Sequence, residues 1–202
     1  MINKSNSLVI LDWDNTLFPS TWVTKNFINL NNIINNNEER KKYLNLFAEL
    51  DDLLVILFQN ILEQSNLIIV TNAMPVWIKI SSSILPKTKY LLNNIKVVSA
   101  RKNHGSSSSD ATEWKKLSFI DEVANIAQNP NISVVSIGDA SYEYNALINL
   151  YNKNRILKSV KFIEEPSFEI LKDQIRVLNN NNHIKKIIMH KGHLDLVYKI
   201  RT

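Results

Sequence analysis

At 202 residues with 45% hydrophobic and 21% charged content, the chain is long enough to bury a full core as one domain. A formal net charge of +5 favours anionic partners without choosing among phosphorylated metabolites, phosphoproteins, nucleic acid and an acidic membrane surface. Cysteine is absent, which excludes disulfides, thiolate zinc sites and thiol nucleophiles, and three glycines are too few for a glycine-rich phosphate loop.

Leu8-Val9-Ile10-Leu11 has no polar break, which predicts a strand buried on both faces at the centre of a parallel sheet. It ends in Asp12-Trp13-Asp14-Asn15-Thr16. The spacing from Trp22 to Ile34 is roughly helical and stops at Asn35-Asn36-Asn37. From Glu38 to Leu62 apolar residues recur at three and four with charges between, which predicts a long amphipathic helix. Leu67 to Val70 predicts a second buried strand, ending in Thr71-Asn72. Pro75 to Leu85 reads as a helix with Pro75 in its first turn and Pro86 stopping it. Ile95 to Ser99 is a weaker third strand because it carries Lys96, and Arg101 to Asp110, with its four serines, reads as a polar, mobile loop.

A helix follows to Gln128 with Trp114, Leu117, Ile120, Val123, Ala124 and Ala127 on its expected inner face, and Asn129-Pro130-Asn131 ends it. Ile132 to Ile137 is the fourth strand and leads into Gly138-Asp139. A helix through Tyr144 to Ile148, an alternating strand from Leu157 to Ile163 near an edge, and a helix from Pro166 to Leu178 come next. The tail from His183 is open between a basic helix and a strand at Leu194 to Tyr198. Strands alternating with helices predict right-handed crossovers and a three-layer α/β/α sandwich around a mainly parallel sheet, as a single domain over 1–202. The distance from Asp14 to Thr71 leaves room only for a small helical lid within 20–64. No apolar stretch approaches a membrane span and residues 1–7 carry no signal pattern, so the expectation is a soluble, intracellular protein, cytoplasmic by default.

Asp12 and Asp14, then Thr71, then Asp139 each follow an apolar strand, so a parallel sheet brings them to one edge although they are far apart in sequence. Taken singly, each has an ordinary reading. An acidic turn caps a helix, Thr71-Asn72 makes a turn, Gly138-Asp139 makes a tight connection, and Lys115-Lys116 is a solvated face. Order and placement together point to phosphate chemistry. D-x-D-x-T at Asp12, Asp14 and Thr16, Thr-Asn at 71–72, and G-D-x-x-x-E from Gly138 to Glu143 resemble the haloacid dehalogenase superfamily, over about Leu8 to Glu143.

The resemblance implies a Rossmann-like fold with a minimal cap. It implies Asp12 as a nucleophile forming an aspartyl-phosphate, and Asp14 as acid for the leaving oxygen and then base for water. Thr71 and Asn72 would hold phosphoryl oxygens, and a lysine from the Lys115-Lys116 pair, Lys115 favoured, would offset charge. Mg²⁺ would sit on Asp12, the Asp14 main-chain carbonyl and Asp139, with Glu143 supporting through water or at one remove. An acid at position 14 fits a phosphohydrolase or phosphomutase rather than a dehalogenase. The implied activity is Mg²⁺-dependent hydrolysis of a phosphomonoester, borne by a small molecule or a phosphoprotein, with no membrane partner. Two alternatives stay open. One is a protein phosphatase of the D-x-D-x-T type. The other is a catalytically silent module that binds phosphate, or nucleic acid through the basic tail of Lys185, Lys186, Lys191 and Arg201. Trp22 and Trp77 follow loops that rim the expected site and are candidate substrate contacts, whereas Trp13 reads as a buried strand side chain.

Overall fold

The computed structural model of the protein describes residues 6–126 and 131–199. Its strands are β1 (Ser7–Leu11), β2 (Asn66–Thr71), β3 (Lys96–Ser99), β4 (Ser133–Gly138), β5 (Ile156–Lys161) and β6 (Leu194–Val197). They form one all-parallel sheet in the order β3-β2-β1-β4-β5-β6. The helices in chain order are α1 (Ser20–Lys25), α2 (Leu30–Asn35), α3 (Asn37–Leu62), α4 (Pro75–Ser81), α5 (Pro86–Leu92), α6 (Ala100–His104), α7 (Ala111–Ile126), α8 (Ser141–Ile148), α9 (Phe168–Asn179) and α10 (His183–Met189).

β1 is buried at every position, as its unbroken aliphatic run predicts. Because successive strand side chains point to opposite faces, Val9 and Leu11 enter one core while Leu8 and Ile10 enter the other. The first core is closed by α1 to α4, α9 and α10, and the second by α6, α7 and α8. The result is the three-layer α/β sandwich. Phe47, Leu50, Leu54, Leu57, Phe58 and Ile61 of α3 all lie in the first core, each burial worth about 1.5–3 kcal/mol. Within the 20–64 segment, therefore, α3 is a layer helix, and it is α1 that reaches towards the strand tips.

Several local readings change. The stretch from Trp22 to Ile34 is two helices, because Phe27 adopts a φ of 53° and Asn29 then caps α2 by accepting from the amides of Asn31 and Asn32. Pro86 starts α5 instead of stopping a helix; a first-turn proline lacks only an N–H that would go unused. The 101–110 stretch holds α6 at its start, and the tail holds both α10 and β6. On α7 the buried residues are Lys115, Ser118, Phe119, Glu122 and Val123, and Ile120 is 40% exposed, so the inner face is rotated from the apolar stripe. Ala127, Gln128, Asn129, Pro130 and Arg201 lie outside the described residues. Among the described residues no helix is long and apolar enough to cross a membrane.

The order of the strands positions the site. From β1 the chain builds outward through β2 and β3, then returns to lay β4 on the other side of β1. Open parallel sheets bind ligands beyond the carboxyl ends of their strands where the direction of winding reverses. Here that place lies between the tips of β1 and β4.

Candidate active site

Leu11 stands opposite Ile69 on one side and Ile137 on the other, so Asp12 leaves the sheet beside the ends of β2 and β4. Its amide extends the ladder by one bond, to the Ile137 carbonyl at 3.0 Å. The chain then turns sharply. Leu17 and Phe18 both donate to the Trp13 carbonyl at 2.9 Å, and Asn15 takes a φ of 56°, which asparagine tolerates better than most residues. Trp13 pins the turn from below: fully buried, it donates from Nε1 to Ser81 Oγ at 2.9 Å. Above it Thr16 Oγ1 lies 3.4 Å from Asp139 Oδ1, linking the tips of β1 and β4.

Lys115 comes down from α7 into this junction. Only 1% exposed, its ammonium donates to the Val70 carbonyl at 2.7 Å and to Asp12 Oδ1, and pairs with Glu143 Oε1 at 2.9 Å. Lys116, one position on, pairs instead with Glu113 at 3.1 Å. Glu143 reaches Lys115 because Gly138 leaves room for it: a Cβ there would stand 2.3 Å from Glu143 Cγ. The other Glu143 oxygen accepts from the Ala140 amide at 3.1 Å. Glu143 thus touches the lysine directly, a contact its expected supporting place did not include.

Asp14 is held by side chains from three elements. Ser20 of α1 donates to Oδ1, Trp77 of α4 donates its indole N–H to the same oxygen at 2.7 Å, and Thr71 at the end of β2 lies 3.4 Å from Oδ2. Thr71 is fully buried and also accepts from the Ala73 amide at 3.0 Å, so its hydroxyl sits beneath the cleft rather than on its wall. Asn72 lies on that wall, tied by its amide to the Ala111 carbonyl at 3.2 Å. The cleft encloses about 280 Å³. Asp12, Asp14, Asn72, Lys115, Asp139 and Glu143 all line it.

Compared with protein-family models, curated proteins and solved structures, the chain has no match.

The chemistry of the cleft therefore rests on its own residues. Burial pushes the Asp12 carboxyl well above its ordinary value, Lys115 draws it down, and Glu143 and Asp14 push it up again. Burial alone would lower the Lys115 ammonium, but Asp12 and Glu143 reverse that and hold it above its ordinary value. Burial and then Glu143 push Asp139 up to about 6. Burial is the leading cause at both aspartates, and Glu143 adds to it at each; with more carboxylates than ammonium groups along its lining, the cleft is short of positive charge. Among the described residues no three His, Cys, Asp or Glu side chains gather into a metal-holding group. Asp12 and Asp139 line the same cleft, and carboxylate oxygens are donors of the kind hard divalent cations take.

Ser20, Trp77, Asn15 and the pair Glu164 and Glu165 belong to the site and were not singled out for it by spacing, except Trp77 as a substrate contact. Asn15 and both glutamates line the cleft; Glu164 pairs with Lys161 at 2.6 Å, which also donates to the Asp139 carbonyl at 2.5 Å. The glutamates follow β5, and the rule that strand tips face the crevice applies to them as it does to Asp139. Trp22 packs on Phe168, ring centroids 4.9 Å apart.

Proposed function

We propose that the chain is a phosphohydrolase of the haloacid dehalogenase type, using Mg²⁺ to hydrolyse a phosphomonoester through an aspartyl-phosphate. The observation that carries this reading is the buried Lys115, seated between Asp12 and Glu143 and bonded to the carbonyl of Val70. Burying an ammonium and two carboxylates in this way is a poor route to stability, because desolvation offsets most of the attraction. Its use is chemical. A lysine beside Asp12 offsets the charge that builds when an anionic phosphoryl group meets a carboxylate nucleophile.

In the first step an Asp12 oxygen bonds to phosphorus, the bond from phosphorus to the leaving oxygen breaks, and Asp14 gives that oxygen its proton. In the second, water gives a proton to Asp14 and bonds to phosphorus, the bond to Asp12 breaks, and inorganic phosphate leaves. Asn72 holds a phosphoryl oxygen from the cleft wall, and Thr71, beneath the cleft, supports Asp14 instead of the phosphate. Asp12, Asp139 and the Asp14 carbonyl would hold Mg²⁺, which when bound supplies the positive charge the cleft lacks. The cleft volume suits a phosphorylated small molecule or an exposed phosphorylated side chain.

The test is hydrolysis of a chromogenic aryl phosphate by wild type and Asp12→Asn, with and without Mg²⁺. The expected result is metal-dependent turnover that the substitution abolishes. Turnover that survives Asp12→Asn removes Asp12 as nucleophile, and a wild type inert towards several phosphoester classes removes the enzymatic reading.

A further inference from the structure

We infer that Trp77, together with Ser20, is a positioning residue that fixes which oxygen of Asp14 exchanges the proton, an inference that rests on the phosphohydrolase reading. Both donors converge on Oδ1: the indole N–H of Trp77 at 2.7 Å and the hydroxyl of Ser20. Among the described residues Oδ2 has only the long 3.4 Å contact to Thr71, and Asp14 lines the cleft. Oδ1 is thus the anchored atom and Oδ2 the working one. Proton transfer to a leaving oxygen falls steeply when the donor atom is misplaced, so anchoring one oxygen to aim the other has a kinetic consequence.

The anchor is itself rigid. Trp77 meets Phe18 edge-on with ring centroids 5.9 Å apart, and Phe18 is stacked between Trp13 and Phe47 at 6.2 and 5.7 Å. Those rings belong to the core, so the direction of the indole N–H is set by packing. The plainer account is that Asp14 merely satisfies a tryptophan. Yet Trp77 is only half-buried and its N–H has no need of a carboxylate, whereas a second donor from a different helix ends on the same oxygen. In the reaction, Oδ2 releases its proton to the leaving oxygen as the phosphorus–oxygen bond breaks, and later takes one from water.

The experiment compares kcat/KM for an aryl phosphate, whose leaving group departs unaided, with that for an alkyl phosphate, whose leaving group must be protonated. The proteins are wild type, Trp77→Phe, Ser20→Ala, Asp14→Asn and each pairing with Asp14→Asn. For Trp77→Phe the expected fall is about tenfold with the alkyl ester and less than about twofold with the aryl ester, a part of the ~10²–10⁴-fold that a positioned acid supplies. Added to Asp14→Asn, neither substitution lowers the rate further, because both act through that carboxylate. Equal losses on the two esters, a further loss in the Asp14→Asn background, or unchanged kinetics each overturn the inference while leaving the phosphohydrolase reading standing. A wild type inert towards both esters overturns the reading and the inference with it. Should Trp77→Phe fail to fold, Ser20→Ala makes the same comparison from α1.

Discussion

Lys115 ties the stability of the fold to the candidate site. It is buried among two carboxylates, and removing it strands both of them. Lys115→Met is expected to cost about 3–5 kcal/mol in urea denaturation at pH 7, the usual consequence of leaving one side of a buried pair uncompensated. Adding Glu143→Gln to that background should restore part of the loss. A double variant no more stable than Lys115→Met would show that Glu143 draws nothing from the ammonium. At this scale the sequence was informative about types and silent about directions. The strand tips announced Asp12, Asp14, Thr71 and Asp139, but Lys115 and Lys116 are neighbours with the same side chain. Only the rotation of α7, set by Phe119 and Val123 entering the core, turns one of them in.

The start of α5 is decided by another helix. Asp51 on α3, buried, accepts from the amides of Lys87 and Thr88 at 2.9 and 2.8 Å, covering first-turn donors that no residue of α5 itself could satisfy. Asp51→Ala is expected to lower stability by about 1–2 kcal/mol, as the loss of a helix cap does, and Asp51→Asn by less because its amide oxygen still accepts. Chemical denaturation of the two variants checks this; equal stability of wild type and Asp51→Ala would mean that Pro86 and packing suffice. The same pair of elements explains why Pro86 reads locally as a stop. A proline after a helix and a proline opening one look alike in sequence, and the residue that distinguishes them, Asp51, lies 36 positions before Lys87.

For the molecule as a whole, Lys158 sets a pH dependence. It lies on β5 with a fully buried side chain, donating to the Ile188 carbonyl at 2.6 Å, and burial lowers its ammonium to about 8. Below that value both folded and unfolded chains carry the proton, and the fold bears the full cost of the buried charge. Between about 8 and the ordinary 10.5 the folded chain has released the proton while the unfolded chain keeps it, so this residue makes stability rise with pH across that window. Lys158→Met is expected to be the more stable protein at pH 7, on the order of 2 kcal/mol after deducting the lost hydrogen bond, with the advantage shrinking towards pH 10. Urea denaturation at both values measures it, and a difference that does not change with pH removes Lys158 as the cause.

By itself the sequence determined that β1, β2 and β4 are buried strands of an α/β sheet and that acids and a threonine follow them, because unbroken apolar runs and what ends them are short-range signals. The tertiary structure alone decided that Glu143 reaches Lys115 over Gly138 and that Ser20 and Trp77 converge on one oxygen of Asp14. Those contacts depend on how whole helices are rotated against the sheet. That rotation is fixed by the summed packing of distant residues, to which no local spacing is sensitive.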